Sequence, residues 1–466
     1  MDSCVRVLLV TLPVQSQINP CLEFAKRLLK MGIEVTFATT FSAINRMTRS
    51  TTPTSGLTFF GFNDATWGME SMDRIAHLME EHKTHGSEAV AKLITSKAEG
   101  GQPFDHVVYT VFVPWAGQVA HDLQLPSTFI WIQPATVLDI YYYYLNGYGD
   151  SITETMNDPS LSVELPGLPP VTTGDLPTFL FPSNNTSNFR LALLKEHFDI
   201  LDAQTNSKVL VNSFDALESE ALRAVQNLNL VAIGPLIPSA FLDGKDPSDN
   251  SFGGDLFEDS RTYIEWLDSM PNKSVVYAAF GSFSPIAKQQ IEEIARGLLA
   301  CGRPFLWVVR ATEDEKLSSK ERLEQRGMIV PWCSQVEVLS HPSVGCFLSH
   351  CGWNSSLEGL VSGVPIVAFP HRADQLTNAK LIEDVWKTGT RVKPNLDQLV
   401  ESDEIRRCIE VVMGGDEIMR MNAKKWKDLA REAGKEGGSS DKNFKTFVDE
   451  LKASKAATMN CSTKLV

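Results

Sequence analysis

Two stretches of this chain carry residue types that could do chemistry. The longer runs from Trp332 to Gln375, WCSQVEVLSHPSVGCFLSHCGWNSSLEGLVSGVPIVAFPHRADQ. Within it, VGCFLSH (344–350) has the apolar run of a buried strand, CGW makes a tight turn, and NSSLEGLVSG starts a helix. Asn354 or Ser355 is placed to cap that helix, whose first N–H groups and dipole then make an anion site, strongest for phosphate. The Ser355 hydroxyl adds a donor, and His350, ending the strand, can donate to a phosphate oxygen. Glu358, one turn further on, comes within reach of sugar hydroxyls when phosphates sit at the helix tip. Trp332 ends the preceding strand and offers a flat face for a base. Base platform, anion site and carboxylate acceptor together describe a nucleotide-sugar site.

The shorter stretch is TLPVQSQINPCLEFAKRLL (11–29), a strand end, a polar loop and an amphipathic helix. Gln15, Ser16 and Gln17 fill the loop, and none of these side chains accepts a proton near pH 7. The elements around it are legible. VRVLLVTLP (5–13) is a continuous apolar run, as in a strand buried on both faces of a parallel sheet. Pro20 suits a first helical turn, Cys21, Phe24, Ala25 and Leu28 make an apolar stripe, and Gly32 closes the helix before the strand EVTFATT (34–40). This is the β-α-β unit of a doubly wound sheet.

Further strands are expected at 57–62, 106–112, 127–132 and 208–214, with helical stretches at 72–98 and 115–123 and an ordered Pro/Gly-rich loop at 163–180. PSAFLDGKDPSDNSFGGDLFEDS (238–260) lacks periodicity and reads as a linker. Strands resume at 274–280, 304–310, 327–332, 344–350 and 365–370. The expected division is an N-terminal α/β domain over 1–240, a linker over 241–260 and a second α/β domain over 261–435. A C-terminal segment, 436–466, then carries a helix at 442–454 and an unanchored tail. Two such sheets, each binding outside its strands' carboxyl ends, create a deep cleft between them.

Composition narrows the class. The formal net charge of −14 argues against nucleic acid or an anionic membrane surface as partner. Eight scattered cysteines without metal-site spacing imply reduced thiols. No signal peptide precedes the first strand and no apolar run reaches about 18 residues. A soluble cytoplasmic monomer is expected.

The Trp332–Gln375 window resembles the signature box of plant UDP-dependent glycosyltransferases, which runs from Trp to Gln over the same length. It matches at HCGWNS, LE, VSGVP, AFP and DQ. LPGLPP…DLP, VVYAAFGSFS, RPFLWVVR and the first β-α-β unit extend the resemblance over nearly the whole chain. The likeness is closest to the branch making glucose esters and phenolic glucosides. It implies a GT-B fold of two facing Rossmann-like domains, the donor UDP-glucose in the second and a small hydrophobic acceptor in the first. The final helix would pack back on the first domain, and neither a metal nor a cofactor beyond the donor is implied.

Position by position, the resemblance implies that Trp332 stacks on uracil, that Gln335 contacts ribose and that Glu358 binds the ribose hydroxyls. Ser282, His350, Asn354 and Ser355 would hold the diphosphate; Trp353, Asp374 and Gln375 would hold the sugar, with the terminal Gln associated with glucose. Gln15, Ser16, Trp115 and Tyr141 are expected to line the acceptor pocket. His371 and Arg372 depart from the family's usual Gln-Trp, which leaves open an altered substrate preference or a solvated loop edge. His82, His85 and His121 are expected on helix surfaces.

In the family the first loop typically reads GH.NP, its histidine deprotonating the acceptor with help from an aspartate on a later strand. Here Ser16 and Gln17 replace the Gly and His, Thr110 stands at the aspartate's position, and the first histidine of the chain is His77. General-base catalysis contributes about 10²–10⁴-fold, a severe loss for a phenol of pKa about 10. A carboxylic acid of pKa about 4–5 is already ionised at pH 7. Three readings stay open: an inverting glucosyltransferase acting on a carboxylate or acidic phenol with Gln17 orienting the attacking oxygen, a homologue that binds with little turnover, and a non-enzymatic carrier.

Overall fold

The apolar runs fold as the central strands of two parallel sheets in a computed structural model that describes residues 4–48, 55–64, 72–158, 160–181, 189–204, 207–254, 262–282, 286–315 and 317–463. The first sheet comprises β1 (Arg6–Val10), β2 (Glu34–Thr40), β3 (Leu57–Phe62), β4 (His106–Thr110), β5 (Ser127–Trp131), β6 (Lys208–Val211) and β7 (Asn229–Ala232). Their spatial order is β3-β2-β1-β4-β5-β6-β7. The second comprises β8 (Val275–Ala279), β9 (Phe305–Val308), β10 (Met328–Val330), β11 (Val344–Ser349), β12 (Ile366–Ala368) and β13 (Gly389–Arg391). Its order is β10-β9-β8-β11-β12-β13. Strand order reverses at β1/β4 in one sheet and at β8/β11 in the other, and crevices for ligands open at such switch points. Both chemistry-bearing stretches begin there: α1 (Gln15–Lys30) follows β1, and α2 (Trp353–Ser362) follows β11.

The strand expectations hold in place, trimmed by one to three residues at most ends. β7, β13 and a two-residue hairpin, Ser162–Val163 with Val171–Thr172, are additions. They lie at sheet edges or in a loop, where one face meets solvent and no long apolar run is needed. The Gln15–Gln17 segment differs from expectation. It is the first turn of α1 rather than a loop, with Val14 as N-cap accepting from the Gln17 and Ile18 amides, so Pro20 lies inside the helix.

The last helix also differs. It spans Ser439–Thr463, so most of the segment expected as a free tail is helical. We label it α4, after the short α3 (Gln375–Lys380). Phe444, Phe447, Val448 and Leu451 of α4 join the core beneath the first sheet, with Phe24 of α1 edge-on to Phe444 at 5.4 Å. Lys455 Nζ reaches Asp105 Oδ2 at 2.9 Å and also donates to the Cys4 carbonyl. The acyclic stretch after β7 is tied down rather than free: Asp249 pairs with Lys26 at 2.7 Å and with Lys30 at 3.3 Å on α1. Among the described residues no disulfide forms, and no helix is long and apolar enough to cross a membrane.

The Pro/Gly-rich loop crosses from the first sheet's side to the second. Thr178 N donates to the Ala373 carbonyl at 2.9 Å, and Ala373 N returns a bond to Thr178 Oγ1 at 2.8 Å. Three residues earlier, Asp175 accepts from Thr172 N and Oγ1 and from Arg391 Nη1 at 2.9 Å, with Lys380 Nζ at 3.5 Å. Burial alone would raise the Asp175 pKa, but these donors and cations outweigh it and hold the carboxyl below its ordinary range. A carboxylate depressed in the folded state stabilises above its unfolded pKa of about 4 and loses that contribution as pH falls through the folded value. Asp175→Ala should therefore cost about 1–3 kcal/mol at pH 7. Denaturant melts at pH 7 and pH 3 check this: the deficit should shrink at the lower pH, and an equal deficit at both would contradict it.

Candidate active site

Both sheets present their carboxyl ends to one cavity of about 360 Å³. On the second sheet's side, β11 ends at Ser349, Cys351 turns the chain at φ 61°, and α2 begins. The cap differs from the expected one. Gly352 is the N-cap and no side chain caps the helix, while Asn354 and Ser355 lie within its first turn. The leading amides of α2 are thus left to a ligand.

His350 fits between two glycines. A Cβ on Gly281 or on Gly352 would stand 2.6 Å from His350 Nε2, so neither position has room for a side chain, and Gly281 also needs φ +77°. Burial, His371 and Arg310 push the His350 pKa down to about 3, leaving a neutral imidazole at pH 7. It can donate a hydrogen bond there without carrying charge. Ser282 borders the same space, and its carbonyl accepts from Arg310 Nη1 at 3.3 Å.

Gln335 joins the remaining donor-side groups. Its Nε2 donates to Ser355 Oγ at 2.8 Å and to Glu358, while its Oε1 accepts from Tyr277 OH at 3.2 Å. Burial pushes Glu358 up to about 7, with Gln335 partly opposing. Burial likewise raises Asp374 to about 6 against the Asn378 Nδ2 bond at 2.8 Å. Gln375 Oε1 accepts from the His371 and Arg372 amides at 2.9 and 3.0 Å, which shapes the loop before α3. Trp332 lines the cavity. Trp353 borders it too, but its indole N–H is committed to the Asn212 carbonyl at 2.7 Å. Arg372 faces the cavity, whereas His371 is exposed and packs on Phe369 and Phe280.

On the first sheet's side, Gln17 is buried and lines the cavity. Thr110 Oγ1 donates to Gln17 Oε1 at 2.7 Å and lies 3.1 Å from Thr11 Oγ1, so the two positions of the missing base and its partner meet. With Oε1 engaged, the Gln17 amide N–H group is what remains to meet a ligand. Gln15 and Ser16 line the cavity as expected of them.

Trp115 and Tyr141 do not. Trp115 is 3% exposed and packs edge-on to Phe62 and His82, its ring filling the space over Gly86. Tyr141 is 1% exposed and lies behind the lining, stacked on Phe179 at 6.5 Å between ring centroids, with its hydroxyl near Asp374 and Arg190. Helical periodicity marks both as apolar-face residues without saying which neighbour lies between ring and cavity. His82 also departs from expectation, being fully buried with its pKa pushed down to about 4; His85 is half-buried and His121 exposed. The first sheet's side of the cavity is lined instead by Met79, Phe112, Phe179, Phe189 and Arg190, none of which stands in a recognisable sequence pattern.

No other base takes Gln17's place among the described lining residues. His197 is stacked on Phe129 at 4.2 Å, and its Nε2 accepts from Phe112 N, away from the cavity. Burial pushes the Cys21 thiol up to about 12. Among the described residues, no group of three or more His, Cys, Asp or Glu could hold a metal ion.

Two opposed Rossmann-like sheets with a helix tip free of any side-chain cap, a buried carboxylate and an indole at one cleft define a glycosyltransferase of the GT-B class. The chain belongs to the plant UDP-glycosyltransferase family. Residues 257–430 match the family described as UDP-glucoronosyl and UDP-glucosyl transferase. The chain is 54% identical to crocetin glucosyltransferase, chloroplastic, of Gardenia jasminoides, over 95% of this chain and 97% of that one. It is 53% identical to phloretin 4'-O-glucosyltransferase of Malus domestica, over 97% and 99% respectively. The crystal structure of Os79 from O. sativa in complex with UDP superposes with a TM-score of 0.83 at 34% identity, covering 95% of this chain and all of that one.

One contact spans the cleft directly. Pro20 has no amide hydrogen for the carbonyl of Ser16, four residues earlier, and Asn354 Nδ2 donates to that carbonyl at 2.8 Å. Pro20→Ala restores a competing amide within α1. We expect unchanged or slightly higher thermal stability with turnover reduced several-fold, read by melting and steady-state kinetics side by side; unaltered turnover would show that the contact does not matter.

Proposed function

We propose that this enzyme transfers glucose from UDP-glucose, with inversion, to a small hydrophobic plant metabolite whose attacking group is a carboxylate or, failing that, an acidic phenol. The observation that carries this is the Thr110–Gln17 bond, which puts a neutral amide where a base would stand. An ionised acid needs no base. One carboxylate oxygen attacks the anomeric carbon, the bond from that carbon to the phosphate oxygen breaks, UDP leaves with the electron pair, and a β-glucose ester forms. Gln17 donates to and orients the attacking oxygen, held by Thr110. The crocetin and phloretin relatives, named as glucosyltransferases, support the glucosyl-transfer part of this reading.

In this reading Trp332 stacks on uracil, and Gln335 and Glu358 take the ribose. The α2 tip with Asn354 and Ser355, together with Ser282 and neutral His350, stabilises the charge that develops on the diphosphate. Asp374 and Gln375 hold the glucose with Trp353. No metal or cofactor enters, and the N-terminal domain (1–240) supplies the acceptor side.

Glu358, raised to about 7, is protonated below that pH and then loses accepting capacity toward ribose hydroxyls. UDP-glucose should bind several-fold more weakly at pH 6 than at pH 8, and Glu358→Gln should flatten that profile; titration calorimetry decides. For transfer itself, products from UDP-glucose are detected by mass spectrometry with one aromatic carboxylate and one ordinary phenol. The unmodified chain should form the ester, and the Gln17→His, Thr110→Asp double variant should raise kcat/KM for the phenol by about 10²-fold. If neither acceptor reacts while UDP-glucose still binds, the transfer reading fails.

A further inference from the structure

We propose that His197 is a positioning residue for the acceptor: from behind the cavity wall it fixes the backbone turn that presents the Phe112 ring to the ligand. The proposal rests on the reading of the first sheet's side as the acceptor side and deepens it. β4 ends at Thr110, whose hydroxyl holds Gln17. The chain then turns, with Val113 N donating to the Thr110 carbonyl at 3.4 Å. Phe112, the third residue of that turn, lines the cavity at φ 68°. Glycine adopts this left-handed region freely, whereas a bulky side chain is held there only when its surroundings impose it.

The imposing contact comes from the helix Phe189–Ala203. His197 Nε2 accepts from Phe112 N at 3.2 Å, across 85 residues of chain. A ring nitrogen that accepts leaves the hydrogen on Nδ1, so the bond selects one neutral tautomer. The imidazole itself is clamped. It stacks on Phe129 of β5 with centroids 4.2 Å apart, and on Tyr109 of β4 at 5.7 Å. Burial pushes the His197 pKa down to about 3, so the Nε2 lone pair stays available from neutral into mildly acidic pH. An apolar ring could supply the stacking; what the imidazole adds is an acceptor aimed at one strained amide. The Phe112 ring in turn stands edge-on to Phe179 at 5.9 Å, and Thr178, next in the chain to Phe179, is bonded to Ala373 of the second sheet's side. Phe112 is thus held at its amide by His197 and at its ring by Phe179. Releasing the amide lets φ relax to negative values, which swings the ring away from its place on the wall.

The test compares His197→Phe, which keeps a ring but has no acceptor, with His197→Gln, whose amide oxygen can still take the Phe112 N–H. The first readout is the crystal structure of His197→Phe: Phe112 should leave the positive-φ region and its ring should part from Phe179. An unchanged Phe112 overturns the proposal. The second readout is titration calorimetry on the full chain. His197→Phe should weaken cinnamate, measured in the presence of UDP, about tenfold while changing UDP itself less than about twofold, and His197→Gln should recover most of that loss. In a Phe112→Gly background, where a φ of 68° needs no support, His197→Phe should have no further effect on cinnamate. Equal weakening of both ligands, or an undiminished effect in the Phe112→Gly background, makes His197 merely structural and overturns the proposal. His197→Leu takes the place of His197→Phe throughout if the larger ring prevents folding. An unmodified chain that binds UDP but not cinnamate defeats the acceptor reading, while the Phe112 conformation still decides this one, so the two failures are distinct.

Discussion

Pro20 leaves a hole in the hydrogen-bond ladder of α1, and Asn354 from the opposite domain fills it at the Ser16 carbonyl. A helix carbonyl without its partner must find another donor or stay in water. Here the donor comes from the first turn of α2, the same turn whose amides face the anion site. The two helices that carry the chemistry, each following a strand at a switch point, are therefore joined tip to tip. That contact holds Gln17, one residue on from Ser16, close to the first turn of α2. This spacing matters to the chemistry, because holding reactants in attacking geometry removes part of the barrier.

The Thr11–Gln17–Thr110 cluster is stable in a way an ionic dyad would not be. Two hydroxyls and the Gln17 amide oxygen bond one another while buried, and no charge has to be desolvated. A charged base pair at the same place would need its desolvation repaid by its mutual attraction. The neutral cluster gives up that chemical capability and leaves the acceptor's own acidity to decide whether it reacts.

What was legible in the sequence follows from how each feature is encoded. The strands were readable because burial on both faces demands unbroken apolar runs, and Val7 to Val10 and Val275 to Ala279 are such runs. The donor box was readable because its turn, helix start and flanking residues are contiguous, and the cavity does gather Trp332, Gln335, His350, Ser355, Glu358, Asp374 and Gln375. The acceptor wall was not. Phe112, Phe179 and Arg190 come from three separated segments and meet only through tertiary packing. Trp115 and Tyr141 were misplaced for the same reason, since an amphipathic helix shows that a ring is inward without showing what lies in front of it. The cap on α2 was misassigned because Gly352 takes the cap position through backbone geometry and leaves no polar signature.

The departure at His371 and Arg372 can be judged on the same physical terms. The loop that contains them is shaped by Gln375, whose carbonyl oxygen accepts from their backbone amides, and by Ala373, whose backbone meets Thr178. None of these bonds uses the side chains of residues 371 or 372. Asp374 and Gln375 are thus placed at the cavity by backbone bonds and by Gln375 itself. A change at these two positions is free to alter what the cavity wall recognises without disturbing the loop that carries it. His371 turns outward onto Phe369 and Phe280, so the change that reaches the ligand is Arg372. The Thr110–Gln17 pair on one side of the cleft and Arg372 on the other are thus set by separate elements of the fold.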